Sequence, residues 1–301
     1  MSRFSATTID LSQLPAPDVI DALSYASIRQ ALIDDFLTRY PAYDLNLLEV
    51  DPAVKILEVA AYRELILRAL INDKARAILL SSAQRSDLDQ LGIYYGATRL
   101  TIAPATSTAA AVMESDADLR RRIQLAPEAF SVAGPKGAYE FHVLSADASL
   151  KSVGVYAYGD PGLLAGEVRV YLLARSGDGT APSTLVDKVR AYLKDGGDKV
   201  PATDILSVLP AVIQNYAVSA TLQIPPGPDP ALVRARAEAA AIAYAQSRHA
   251  VGASVPRSGL IRALMVDAVE NVLLHSPAAD IPSQLGVAPF CTGAASTTQV
   301  V

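Results

Sequence analysis

The sequence predicts an α+β protein in which an N-terminal long-helix region precedes mixed α/β domains with a small antiparallel or mixed sheet. After Pro52, a helical pattern without glycine or further proline continues to about residue 80. From Ser152 the apolar pattern changes to a period of two, which is typical of strands. The predicted strands are not regularly separated by helices, which disfavours a doubly wound parallel sheet. For 301 residues we expect three domains, at 1–100, 101–198 and 199–301.

The composition excludes several classes of function. The chain is 51% hydrophobic and 19% charged, which is enough apolar material to fill folded cores. The net charge is −5 and there is no basic run, which argues against a nucleic-acid partner. No segment has the roughly 20 mostly uncharged residues of a membrane span, so we expect no membrane insertion. The single cysteine, Cys291, cannot form an intrachain disulfide, and we interpret it as an inert thiol.

The N-terminal segment is predicted to be extended. Residues 9–17 contain Pro15 and Pro17, and two prolines so close together prevent a helix. Two interpretations remain open, a frayed terminus or an arm that packs on a neighbouring subunit. A helix is then expected from Asp18 to about Tyr40, where Pro41 ends it.

The next helix is unusually long. Asp51 is placed as its N-cap, and Pro52 suits the first helical position because its missing N–H costs nothing there. From residue 52 to residue 80 the helix would extend about 44 Å at 1.5 Å per residue. The mean helix of a globular protein has only about 11–12 residues.

Apolar side chains cover most of the circumference of this helix. Such a helix has to be buried on several sides to be stable. It is either the central helix of a single helical domain or a helix of a bundle that partner chains complete. For the second alternative, the predicted partner-binding residues are Leu57, Ala61, Leu65 and Ile66.

A third helix and a connecting segment follow. The helix is expected to begin near Ser86 and to end by Gly92 or Gly96. Residues 101–113 are small and polar and lack strong periodicity, which indicates a linker or an extended strand between domains.

Ser115 and Asp118 form the spacing of a second helix cap. We interpret the three arginines at positions 120–122 as the exposed face of a short helix, in ion pairs with neighbouring carboxylates. Pro127 is expected to break or kink this helix.

The remaining pattern predicts a small sandwich of helices and strands. The expected elements are a helix over 138–146, strands over 153–156 and 168–172, a helix over 184–193, strands over 205–209 and 212–224, helices over 229–247 and 258–266, and a last strand over 269–274.

Catalytic signatures are missing from the sequence. It has no metal-spaced Cys/His set, no His-Glu-x-x-His and no Gly-x-Ser-x-Gly elbow. The adjacent carboxylates Asp34 and Asp35 decorate a predicted helix and need no catalytic explanation. We therefore expect no catalytic, cofactor-binding or metal-binding residues, and a protein that is not an enzyme.

Six segments in order resemble the baseplate J-like family of contractile phage tails and tailocins. They are IDLSQLPAP at 9–17, AYRELI at 61–66, DLDQLG at 87–92 with Tyr95 and Arg99, VMESDADLR at 112–120, SVAG at 131–134 with GAY at 137–139, and SPAADI at 276–281. Each segment is weak alone, but their shared order covers essentially the whole chain.

The resemblance implies a structural wedge subunit of a baseplate. Its partners would be copies of itself and a smaller, I-like wedge protein, joined through an N-terminal helical bundle, together with sheath initiator and hub proteins. The C-terminal domains would form a ring around the hub that rearranges when the sheath contracts. The protein would be part of the tail particle, assembled in the host bacterial cytoplasm. The alternatives are a tail-associated cell-wall hydrolase and a soluble monomeric binding module.

Overall fold

The computed structural model describes residues 11, 14, 15, 17–43, 51–131, 133–195, 197 and 199–300. Among these, residues up to 98 form one compact unit and residues 99–300 form a second. Helices combine with small antiparallel and mixed sheets, which confirms the predicted fold class. The extended segment over 9–17 lies largely outside the described residues, and the division into three domains stays a prediction.

The first unit consists of three helices, α1 (Tyr25–Arg39), α2 (Pro52–Ala77) and α3 (Arg85–Ile93). Helix α1 begins seven residues later than predicted. The hydroxyl of Ser24 accepts a hydrogen bond from the backbone N–H of Ser27 and so caps the helix at that point.

Helix α2 begins where the sequence predicted. The Asp51 carboxylate accepts the backbone N–H of Ala53 at 2.8 Å, and Pro52 takes the first helical position. The helix ends at Ala77, three residues before the predicted end, and has 26 residues. A long N-terminal helix is therefore present as predicted, but it ends earlier than predicted.

The second unit starts with a short hairpin and a capped helix. Strands β1 (Thr101–Ala103) and β2 (Val112–Met113) pair antiparallel. Helix α4 (Asp116–Ala129) is capped by Ser115, as predicted. Pro127 was expected to break or kink this helix. It lies inside the last turn of α4 and does not break it there, because the helix continues for two more residues.

The first three-stranded sheet of this unit has the order β3-β4-β5. Strands β3 and β4 are antiparallel, whereas β4 and β5 are parallel because helix α6 connects them. Val143, Val170, Leu172 and Val189 are fully buried in the core between the sheet and its helices. The elements are α5 (Lys136–Ala146), β3 (Leu150–Tyr156), β4 (Glu167–Ala174), α6 (Ser183–Lys194) and β5 (Ile205–Pro210).

The second sheet has the order β7-β6-β8, with β7 antiparallel and β8 parallel to the central strand. Two helices cover one face, and Leu222, Ile224, Ala237 and Leu260 are fully buried between them and the sheet. The sequence analysis did not predict strand β8. The elements are β6 (Val212–Ile224), α7 (Pro230–Arg248), α8 (Arg257–Leu264), β7 (Asn271–Ser276) and β8 (Val287–Val300).

A histidine at the end of α7 joins the two sheets of the second unit. His249 is 8% exposed, and its Nε2 lies 3.1 Å from the backbone carbonyl oxygen of Asp178. Its Nδ1 lies 3.1 Å from the Lys151 ammonium on β3, so Nδ1 has to accept that hydrogen bond and Nε2 carries the proton. Burial, together with the charge of Lys151, lowers the pKa of His249.

Candidate functional site

The inner face of α2 is held against the chain that precedes it. The Arg29 guanidinium donates to the Glu58 carboxylate at 3.0 Å. The amide side chain of Asn72 accepts from the backbone N–H of Asp21 at 3.1 Å and donates to its carbonyl at 2.9 Å. Ala61 lies on the same face, three residues after Glu58, and is fully buried. This face is therefore occupied within the chain itself.

Charge pairing keeps Glu58 ionised on this inner face. Hydrogen bonds from Lys55, on the preceding turn, and then from Arg29 lower the pKa of the Glu58 carboxyl. Lys55 Nζ lies 3.0 Å from the second carboxylate oxygen. Glu58 is thus a charged link between α1 and α2.

The opposite face of α2 is apolar and exposed. At 3.6 residues per turn its side chains fall within a stripe on the side away from Glu58 and Asn72. We call this stripe the outer face. Its members, with their exposed fractions, are Ile56 (69%), Val59 (65%), Ile66 (41%), Leu67 (57%), Leu70 (50%) and Ile71 (62%).

Two positive charges lie within the outer face. Arg63 is one turn from Val59 and from Leu67, and Lys74 is one turn from Leu70, so both share this side of the helix. Both side chains are exposed. A contiguous exposed apolar stripe with a few charges is typical of a protein–protein interaction site.

The four predicted partner-binding residues are divided between the two faces. Ile66 belongs to the outer face. Ala61 is fully buried against its own unit, and Leu57 and Leu65 are half-buried. The sequence pattern could not divide them, because apolar residues occur all around the helix. The exposed members Ile56, Val59, Leu67, Leu70 and Ile71 were not among the predicted residues.

Two family models match the chain. The baseplate J-like N-terminal domain matches residues 49–106, which include all of α2, and the baseplate J-like central domain matches residues 131–210. The chain is 41% identical over 295 residues to "Baseplate protein J" of Escherichia phage P2, covering 94% of this chain and 95% of the relative. The chain belongs to the baseplate J-like family.

The resemblance expected from the sequence is thereby confirmed. The N-terminal family model covers the outer face of α2, whereas the central model covers the first sheet and its helices. The outer face thus lies in a part of the baseplate J-like chain that is characteristic of its family.

A buried ion pair fastens α4 of the baseplate J-like chain. The Arg122 guanidinium donates to both carboxylate oxygens of Glu114, at 2.8 and 2.6 Å, and both side chains are 4% exposed. The backbone N–H of Leu100 donates to the same carboxylate at 3.1 Å, and Arg99 pairs with Asp116 at 2.7 Å. The sequence analysis predicted that the arginines at positions 120–122 form ion pairs with neighbouring carboxylates, and Arg122 does. The prediction that they lie on an exposed helix face is wrong for Arg122, which is buried.

A cell-wall hydrolase would use a carboxyl group with a raised pKa or a metal ion, and one carboxyl group of this baseplate J-like chain has a raised pKa. Burial raises the pKa of Glu140, while Arg121 opposes the shift. Glu140 lies on helix α5 and is only 7% exposed. Its carboxylate accepts a hydrogen bond from the Arg121 guanidinium. This arrangement favours an ion pair within the fold.

In the described ranges, no group of three or more histidine, cysteine or acidic side chains is placed to hold a metal ion. None of the helices described for the baseplate J-like chain is sufficiently long and apolar to span a membrane.

Proposed function

We propose that the chain is a structural wedge subunit of a contractile-tail baseplate, and that the outer face of α2 is where it joins other chains. The observation that carries the proposal is the exposed apolar stripe, since six large aliphatic side chains on one helix face are each more than two-fifths exposed. Family membership supports the baseplate assignment.

The chemistry of the outer face describes the partner. A second helical surface with aliphatic side chains would bury the stripe, and carboxylates on that surface would pair with Arg63 and Lys74. The partners proposed for this surface are the smaller wedge protein and further copies of the chain. Sheath initiator and hub proteins would contact other parts of the assembled ring, which would rearrange when the sheath contracts.

No covalent chemistry is required by this function. A wedge subunit works by holding neighbours in one arrangement and permitting another, so its energetics reside in interfaces. The protein would be part of the tail particle after assembly in the host cytoplasm. The hydrolase alternative gains no support from Glu140, whose carboxylate is engaged by Arg121.

The size of the proposed interface can be estimated from exposure. Burying a whole aliphatic side chain contributes about 1.5–3 kcal/mol. The six outer-face residues are each 41% to 69% exposed, so together they offer on the order of 5–10 kcal/mol on burial. The loss of translational and rotational freedom on association offsets part of this free energy. A single charge introduced into the stripe would be buried without a partner, and its desolvation cost is large enough to abolish the remaining binding free energy.

Co-expression with the smaller wedge protein tests the proposal. Leu70→Asp places a carboxylate in the middle of the outer face, and we expect loss of co-purification while the circular dichroism spectrum is unchanged. Leu70 is the better position, because Leu65→Asp would also disturb the half-buried side of α2.

Leu164→Asp is the matched control, since Leu164 is also exposed (72%) but lies in the second unit. It should co-purify like the wild type. Retention of the partner by Leu70→Asp would count against the outer face as the assembly surface.

A further inference from the structure

The cations of α2 fall into two groups. Lys55, Arg68 and Arg76 each form an ion pair with a carboxylate on an adjacent turn of the same helix, at 3.0, 2.6 and 3.3 Å. Arg63 and Lys74 form no ion pair within the part of the chain that the structure describes. The two cations without a carboxylate are therefore the two that lie in the outer face.

The sequence around these two cations explains why they have no partner on α2. Residues three and four positions apart on a helix are neighbours in space. All four such positions around Arg63, and all four around Lys74, are apolar. They are Val59, Ala60, Ile66 and Leu67 for Arg63, and Leu70, Ile71, Ala77 and Ile78 for Lys74. A carboxylate that neutralises either cation has to come from outside the helix.

Arg63 lies at the centre of the outer face. A helix turns by about 100° per residue, so side chains nine residues apart point in opposite directions. Val54 and Asn72 are each nine residues from Arg63, and both are 2% exposed on the packed side of α2. Arg63 therefore points directly away from that side. Ile56 and Leu70 lie seven residues before and after it, which is the repeat of a coiled-coil seam.

A charge in the middle of an apolar seam acts on the choice of partner. Burial of an unpaired cation is costly, and a polar residue at one seam position of a coiled coil specifies the register and the partner at some cost in stability. We infer that Arg63 and Lys74 select, for the outer face, a helix of a different polypeptide with two carboxylates among its aliphatic side chains. The two cations are about 16.5 Å apart along the helix axis, at 1.5 Å per residue, so the two carboxylates are spaced about eleven residues apart on the partner helix.

A second copy of this chain does not supply these carboxylates. The acidic residues of α2 are Glu58, Glu64 and Asp73, and each is already used in an ion pair within its own helix. Two outer faces in register would place Arg63 against Arg63 when parallel, or against Lys74 when antiparallel. Like charges across an interface suppress the wrong pairing. The inference rests on the proposed function for the presence of a partner, and it narrows the partners at this surface to a different protein.

Mixtures of two forms of the full chain test this selection. The double substitution Arg63→Glu, Lys74→Glu keeps the aliphatic stripe and gives it two carboxylates eleven residues apart. With this acidic variant fluorescently labelled, sedimentation velocity measures its binding to the unlabelled wild type and to its own unlabelled form. The wild type should bind it at least about tenfold more tightly, because opposite charges then face each other in either orientation. Association through other surfaces is common to both mixtures and does not contribute to the difference.

The matched control is Arg234→Glu, Arg236→Glu, which makes the same change of charge at two exposed positions of α7. The labelled control variant should bind the wild type and its own unlabelled form equally. Addition of Leu70→Asp to the acidic variant should remove its preference for the wild type, because the stripe itself is then disrupted. Equal binding of the acidic variant to the wild type and to itself, the same preference in the control, or a preference that survives Leu70→Asp would each overturn the inference.

Co-expression with the smaller wedge protein separates this inference from the proposed function. Arg63→Glu should lose the partner, whereas Arg63→Lys keeps the charge and should retain it. Loss of the partner with Leu70→Asp but not with Arg63→Glu would overturn the selection by charge and leave the proposed function intact. Retention with Leu70→Asp would count against the proposed function, and the mixing experiment would still decide whether the outer face selects an acidic helix.

Discussion

Replacement of Arg122 by methionine should destabilise the second unit strongly. Methionine retains much of the aliphatic volume but removes both hydrogen bonds, at 2.8 and 2.6 Å, to Glu114. The Glu114 charge then stays buried at 4% exposure without its guanidinium partner, although the Leu100 amide still donates to it. Loss of one partner of a buried ion pair costs about 3–5 kcal/mol. At about 2–4 °C per kcal/mol for a unit of 150–250 residues, Tm should fall by roughly 6–20 °C.

Differential scanning calorimetry measures this effect on the full chain. Lys188→Met is the control, because the ion pair of Lys188 with Asp147, at 2.6 Å, is only partly buried: Lys188 is 60% exposed and Asp147 18%. Breaking such a pair should cost less than breaking a fully buried one. Combining Arg122→Met with Glu114→Gln should recover part of the loss, since the uncompensated charge disappears. The reasoning is refuted if Arg122→Met lowers Tm no more than Lys188→Met does.

Two further predictions concern hydrogen bonds inside the second unit. The folded state lowers the pKa of His249, so the unfolded chain binds the extra proton first and stability should decline as the pH falls below about 6.5. His249→Gln should reduce that slope in urea titrations at pH 7 and pH 5; an unchanged slope would exclude this histidine as its source. Tyr139→Phe removes the 2.6 Å hydrogen bond to Asp204 and should lower the unfolding free energy by about 1–3 kcal/mol in urea, and no loss would show that this bond is energetically neutral.

Elements with local signals were predictable. The start of α2 follows from an N-cap and a proline that act within one turn, at Asp51 and Pro52. Strand β6 was predicted with its observed bounds, because alternating apolar residues over 212–224 end at two consecutive prolines. Such signals involve neighbours in the chain, which a sequence displays directly.

Features that depend on contacts between residues far apart in the sequence could not be predicted from local patterns. Strand β8 is composed largely of alanine, serine, threonine and glycine, so its strand conformation comes from pairing with β6, which lies more than 70 residues away in sequence. The burial of Arg122 likewise depends on where Glu114 is held. The division of α2 into an inner and an outer face required the position of α1, since the helix is apolar on most sides.

The central claim is that another chain covers the outer face of α2 in the assembled baseplate. Cysteine labelling tests it directly, because Cys291 is the only native thiol and can be replaced by serine. In that background, Leu70→Cys should react rapidly with a maleimide in the free chain and much more slowly in the assembled particle. Equal labelling rates in the free chain and in the particle would contradict the claim.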